Sequence, residues 1–424
     1  MISASQKPRP SIWLKVAAAT FAVAWGGNEF TPLLVMYKSD EGLTTATVDI
    51  LLAAYVLGII PALLLGGPLS DRYGRAPLLR PAPLIAIAGS LVLAGGGGNA
   101  SVLFVGRVLS GIALGLVMAV GTAWIKELSQ APFEPGAKPG AGARRAGLAL
   151  TTGFGLGAGA AAAMAQFAPR GDVYPYLVNA VISLLAWLWL LQAPETRAPH
   201  TGGRLADDLK IPSSRHRRFL LVVLPAAPWV FGCAASAYAI MPTLVANQVG
   251  DMRIGFSGLL CLIALGSGFG IQLIGSRFDS DRSARGTGVA LTVTVVAMIV
   301  AATAAGNSSL KWAIGAAAIL GVAYGLLLVA GLQEIQRIAG PDDLAGLTAV
   351  YYSLTYLGFF IPAVLAGLDI WFSYSQMFAA GAVIAALSLG FVSLWWRKHL
   401  PSHAGGDEAP VTRESAAASA GASR

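Results

Sequence analysis

Two ionisable side chains stand inside long apolar runs, where an unpaired charge is expensive and so marks chemistry. Glu29 lies in Gly26-Gly27-Asn28-Glu29-Phe30-Thr31-Pro32, and Arg107 lies in Leu103-Phe-Val-Gly-Arg107-Val-Leu-Ser-Gly111. A carboxylate shielded from water holds a proton and gives it up when water or an arginine reaches it. That is the chemistry of proton coupling. The same carboxylate would also hold a cationic ligand directly, and a salt bridge fixing two packed helices is the structural alternative. Asn28 sets a hydrogen-bonding amide beside Glu29. Glu29 falls about seven residues from the far end of its run and Arg107 about six from the same surface, so both sit roughly 10 Å deep at the helical rise. Equal depth is compatible with a Glu29–Arg107 pair.

Other chemistries find no residues to carry them. There is no Gly-x-x-x-x-Gly-Lys-Ser/Thr loop, so ATP-driven work is not expected. His200, His216, His399 and His403 all fall in polar segments and form no metal-ligand spacing. Cys233 and Cys261 lie in apolar runs and read as small buried hydrophobes. No enzyme, cofactor or metal is expected.

The elements that must position Glu29 and Arg107 are membrane helices. Of 424 residues, 55% are hydrophobic and 12% charged, against about 25% charged in a soluble domain. A spanning helix needs roughly 20 mostly apolar residues. Twelve such runs follow one another: 12–36, 48–66, 80–98, 101–125, 147–168, 175–192, 219–244, 254–274, 286–305, 310–332, 345–367 and 373–396. The 51 glycines sit mostly within them, where small residues let helices approach closely. Residues 1–10 are polar and basic with no cleavage signal behind the first run, which is expected to be retained.

The net charge of +8 does not argue for nucleic acid, because the basic residues lie between the runs. With a cytoplasmic N-terminus, twenty-four Lys and Arg fall on inside segments and four (Lys38, Arg170, Arg253, Lys311) outside, Arg107 alone being left within a span. The positive-inside rule thus places both termini in the cytoplasm of a multi-pass cell-membrane protein. The polar stretch 194–218 divides the chain, giving an expected N-terminal six-helix bundle (1–193), a cytoplasmic linker (194–218), a C-terminal bundle (219–398) and a disordered cytoplasmic tail (399–424). The halves echo one another: Gly67-Pro-Leu-Ser-Asp71 and Gly275-Ser-Arg-Phe-Asp279 lie 208 residues apart. Such repeats typify transporters with a site between the halves.

The stretch Gly67-Pro-Leu69-Ser-Asp71-Arg72-Tyr-Gly74-Arg75, after the second run, resembles the signature Gly-x-Leu-x-Asp-Arg-x-Gly-Arg of the major facilitator superfamily, with every fixed position met. Gly67 and Gly74 suit tight turning and close helix approach. The resemblance implies an all-α membrane fold of twelve transmembrane helices, two six-helix bundles around a central cavity. It implies that spans 1 and 4 line that cavity, that Asp71 faces the start of span 11 as a gate, and that Arg75 pairs with Glu127. Arg107 before Gly111 resembles the span-4 motif of proton-coupled members, and Pro194-Glu195-Thr196 the Pro-Glu-Thr found after span 6. The second-half copy keeps only Asp279 and its basic neighbours, a one-sided decay common in the family that leaves the resemblance intact; span 5 lacks the Gly-Pro pair of many antiporters, a departure that stands against drug/proton antiport.

Trp229, Tyr238, Tyr324, Gln333, Tyr352 and Tyr356 are candidate cavity-lining residues, although packing or interface roles suit each as well. The expected function is secondary transport by alternating access, as proton-coupled efflux of small amphipathic molecules. The alternatives are an uptake porter for a sugar or other small metabolite and, remotely, a membrane sensor that does not transport. The expected partners are a small-molecule substrate, protons and the lipid bilayer; no nucleic acid is expected, and the chain is expected to be a monomer.

Overall fold

A computed structural model of the chain describes residues 12–199, 209–280, 282–340, 343–398 and 400. The tail expected from 399 lies, Leu400 aside, outside the described residues, as do 200–208 of the expected linker. All regular structure among the described residues is helical. Twelve helical spans follow the twelve apolar runs. Span α1 is Leu14–Glu29, continued by a tight turn Thr31–Leu33 and a short helix Leu34–Ser39. The others are α2 Thr45–Tyr73, α3 Arg75–Ala94, α4 Ala100–Leu128, α5 Ala141–Phe167, α6 Tyr174–Leu190, α7 Phe219–Gln248, α8 Gly250–Phe278, α9 Arg285–Asn307, α10 Leu310–Ile338, α11 Leu344–Leu368 and α12 Tyr374–Leu394. Ten are long and apolar enough to cross a membrane; the remaining two are the interrupted α1 and the 17-residue α6.

Local chemistry sets the ends. Thr44 accepts from the Thr47 N–H to start α2, Asn99 accepts from Ser101 and Val102 to start α4, and Ser373 with Gln376 forms a reciprocal cap on α12. Gly74, at φ +101°, turns the chain between α2 and α3, a conformation that side chains rarely adopt. Spans α2, α4, α8 and α10 are 29 residues each, or about 44 Å at the helical rise. That exceeds the roughly 30 Å hydrocarbon core, so their polar ends project, and the end of α2 carries the signature.

Pro32, which has no N–H to continue a helix, follows the break after Glu29. The break therefore falls beside the buried carboxylate. Glycines close the main seams. A methyl at Gly111 of α4 would overlap the Tyr55 carbonyl of α2, and one at Gly325 of α10 would overlap the Gly268 carbonyl of α8. Substitution at either would push two backbones apart.

The packing repeats. α1 lies on α5 and α6, α2 on α4, and α3 on α4 and α6. Correspondingly α7 lies on α11, α8 on α10, and α9 on α10 and α12. Across the middle, α2 meets α11 and α5 meets α8.

Candidate functional site

Glu29 and Arg107 are both fully buried, but they do not form the pair that equal depth suggested. No Arg107 nitrogen comes within 4.0 Å of the Glu29 carboxylate, and neither Glu29 oxygen has a hydrogen-bond partner. Depth along a helix fixes height and not direction. Glu29 has Ser90 of α3 as its near polar neighbour, with Arg107 within electrostatic reach. Ser90 in turn accepts from Asn179 of α6 at 2.8 Å. The carboxylate thus lies among helices of its own half and not on an open cavity. The Arg107 guanidinium stacks on Phe30 (4.6 Å) and Tyr55 (4.3 Å) and donates through Nε to the Leu51 carbonyl at 3.2 Å. Its Nη1 has no hydrogen-bond partner. Asn28 faces the other way: it accepts from Thr31 at 2.8 Å and donates to the Phe154 carbonyl of α5 and, at 3.9 Å, to Cys261 of α8.

The aromatic candidates separate into two groups. Tyr55 meets Tyr356 and Phe359 of α11 edge-on, Phe231 stacks on both, Tyr238 lies beside Phe359, and the Tyr356 hydroxyl donates to Met118 of α4 at 3.1 Å. This layer joins the halves. Tyr324 and Tyr352 pack against the apolar cores on both sides yet keep partial exposure, as does Gln333. Trp229 is half-buried, and its indole N–H donates to Ser388 of α12 at 3.4 Å, within the C-terminal half.

At the projecting ends of α2–α4 the signature residues form a second cluster. Arg75 donates to Glu127 through Nε (3.2 Å) and Nη2 (2.7 Å), to Ser70 through Nη1 (2.5 Å), and pairs with Asp71 at 2.8 Å. Asp71 also pairs with Arg197 at 3.7 Å, and none of its ion pairs among the described residues reaches α11. Arg72 is partly buried beside it. Gly74 runs close to Glu195. Gly67 has nothing within 4 Å of where a side chain would begin, so close approach does not explain it.

Sequence reasoning quoted Glu195 and Thr196 but missed their partners. The Glu195 carboxylate accepts from the N–H groups of Arg75 (2.9 Å) and Ala76 (2.8 Å), which start α3, and Thr196 donates to Glu127. A separation of 120 residues leaves no local trace of this. Burial pushes the Glu195 carboxyl up, but the backbone donors Ala76, Arg197, Arg75 and Thr196 outweigh it and hold it below the ordinary carboxylate value. A depressed value stabilises the fold above the unfolded value of about 4.3 and is lost as pH falls through the folded one. Acidification should therefore release this clamp. Hydrogen exchange at the Trp124 indole, which donates to the Pro194 carbonyl at 3.1 Å, should quicken at low pH. In Glu195→Gln it should be quick already at neutral pH; an unchanged exchange rate there would refute the clamp.

The C-terminal half carries a counterpart. Arg337 bridges Glu334 and Asp279, and fully buried Arg218 grips Glu334 at 2.5 and 2.8 Å. Asp279 lies 208 residues beyond Asp71 and Glu334 lies 207 beyond Glu127. The acidic pair keeps its spacing, but the arginines that serve it, Arg218 and Arg337, stand on other helices, and Arg277 and Arg282 occupy the positions that answer to Leu69 and Gly74. Among the described residues no group of three His, Cys, Asp or Glu is placed to hold a metal ion.

Residues 16–361 match the family model of the Major Facilitator Superfamily. The chain belongs to this superfamily. It is thus a multi-pass membrane protein and a secondary transporter, not an enzyme. A chloramphenicol resistance protein of Pseudomonas aeruginosa is 24% identical over 339 residues, covering 78% of this chain and 77% of the relative. The quinolone resistance protein NorA of Staphylococcus aureus (strain Mu50 / ATCC 700699) is 33% identical over 109 residues, 26% of this chain and 28% of NorA. Among solved structures, the xylose transporter XylE from E. coli in a partially occluded inward-open conformation superposes with TM-score 0.68 at 13% identity, covering 91% of this chain and 98% of XylE. The nucleoside transporter NupG gives 0.69 at 11%, covering 91% and 100%. At such identities these structures speak for the superfamily fold alone.

Proposed function

We propose that this protein exports small amphipathic molecules in exchange for protons, by alternating access of its two halves. One observation carries the reading: Glu29 is a fully buried carboxylate with no hydrogen-bond partner, beside a break in α1 and within reach of Arg107. An anion there is costly without partners, so the site suits a group that cycles between a neutral acid in the dry state and a carboxylate when wetted or met by Arg107. The aromatic layer between the halves offers an apolar surface with a few hydroxyls, which suits an amphipathic ligand. The resistance proteins among the relatives support export of such molecules.

The signature cluster, with Asp71, Arg72, Arg75 and Glu127, acts in this reading as the cytoplasmic gate. Both termini lie in the cytoplasm, the halves divide at 194–218, and the carrier works as a monomer in the cell membrane. The test uses inside-out vesicles with an acidified lumen and a pH-sensitive dye. A panel of cationic drugs, dyes, sugars and organic acids is added in turn. A compound that dissipates the gradient through this protein supports exchange. Sugar entry into right-side-out cells, with no dissipation by any compound, would replace export by uptake.

A further inference from the structure

At the mouth opposite the signature loop, three polar links among the described residues join the halves. Gln166 at the end of α5 donates to the Asp251 carbonyl and accepts from the Gly255 N–H of α8, both at 2.8 Å. Arg253 of α8 pairs with Asp40 at 3.1 Å, but these side chains are 41% and 44% exposed, and an exposed pair contributes little. The third link is different. Lys38, at the end of the helix continuing α1, pairs with Asp49 of α2 at 3.4 Å and donates across the seam to Thr243 of α7 at 3.2 Å. The Asp49 side chain is 2% exposed and that of Lys38 12%. A buried charge pair thus holds an arm that reaches into the other half.

We propose that Lys38, braced on Asp49 and bonded to Thr243, is the latch that holds this mouth shut. The reasoning rests on an asymmetry between closed and open states. With the mouth closed, each charge has little but the other for a partner. With it open, water solvates both. Removing one partner therefore strands a charge only in the closed state, and stranding a buried charge is strongly unfavourable. Replacing both partners by apolar groups of similar size removes the charge problem, and such replacements are often neutral. A pair that only filled space would not give that pattern.

Cys261 is a built-in reporter. It is fully buried on the α8 face against Asn28 of α1, about 16 Å below the start of α8 by helical rise, where opening of the seam would wet it. The experiment follows maleimide labelling of Cys261 in the full-length protein in lipid nanodiscs, with Cys233→Ser so that one thiol remains. Lys38→Met and Asp49→Asn should each label about tenfold faster than the parent or more, a tenfold shift being 1.4 kcal/mol of closed-state preference. The double variant Lys38→Met/Asp49→Leu should return to within about threefold of the parent. Thr243→Val, which spares the charge pair and removes only the cross-seam acceptor, should label about threefold faster.

Single variants at the parental rate would overturn the latch. So would a double variant as fast as the singles, or a Thr243→Val rate equal to the parent. The proposal rests on alternating access, but the assay uses neither substrate nor proton gradient. A failure of proton-coupled export in vesicles and a failure of the latch here are therefore separate results.

Discussion

Glu29→Gln should abolish proton-linked transport while the protein still inserts and folds. Glutamine keeps the size of the side chain and removes its exchangeable acid proton. A neutral side chain suits the site, because Glu29 is fully buried with no cation among the described residues within 4.0 Å of its carboxylate. Loss of a group that carries the transferred proton costs on the order of a hundredfold or more. In the acidified-vesicle assay the variant should leave the gradient untouched by any compound that dissipates it with the parent protein. Its melting curve in detergent should match the parent's. Gradient dissipation at the parental rate by Glu29→Gln would remove Glu29 from the coupling mechanism, whatever the substrate.

Replacing Arg75 should slow transport less than that but cost stability as well, through a different cause. Its guanidinium serves Ser70, Asp71 and Glu127 together, and its own N–H anchors Glu195. Ala removes the cation that Asp71 and Glu127 share and leaves Asp71 only its longer pair with Arg197. Lys keeps the charge but not the planar fork that satisfies three acceptors. Arg75→Ala should lower stability by about 1.5–3 kcal/mol, the range for a lost charge-assisted hydrogen bond. Arg75→Lys should recover less than half of that loss. Both should slow transport on the order of tenfold, because the ends of α2, α3 and α4 and the segment after α6 are no longer held as a unit. Thermal unfolding read beside vesicle transport checks this, and Lys rescue of both properties would show that charge alone suffices.

Much of the fold was legible because a bilayer imposes length and polarity on every span. The runs 310–332 and 345–367 lie inside α10 and α11, short mainly at polar ends. Hydropathy stops at the membrane surface, while helices such as α2 continue to Asp71 and Arg72. The signature held Arg75, and the family resemblance, not any local pattern, supplied Glu127 as its partner. The direction in which Glu29 points was not legible. It depends on the break at Phe30 and on which neighbours meet it there, and depth says nothing of azimuth. Gly67 was assigned a packing reason that its open surroundings do not support. The partners of Glu195 lie 119 and 120 residues away, beyond any local pattern.

The glycine seams carry a mechanical consequence. Where α2 meets α4 and α8 meets α10, backbone touches backbone at Gly111 and Gly325. Such joints have no side chains to re-pack and behave as welds. Where α2 meets α11, contact runs through the rings of Tyr55, Tyr356 and Phe359, which can tilt past one another. Stiffness is therefore unevenly distributed: high inside each half and low between them. Force applied at one end of a half arrives at the other with little lost to bending, and the compliant ring-lined seam takes up the travel.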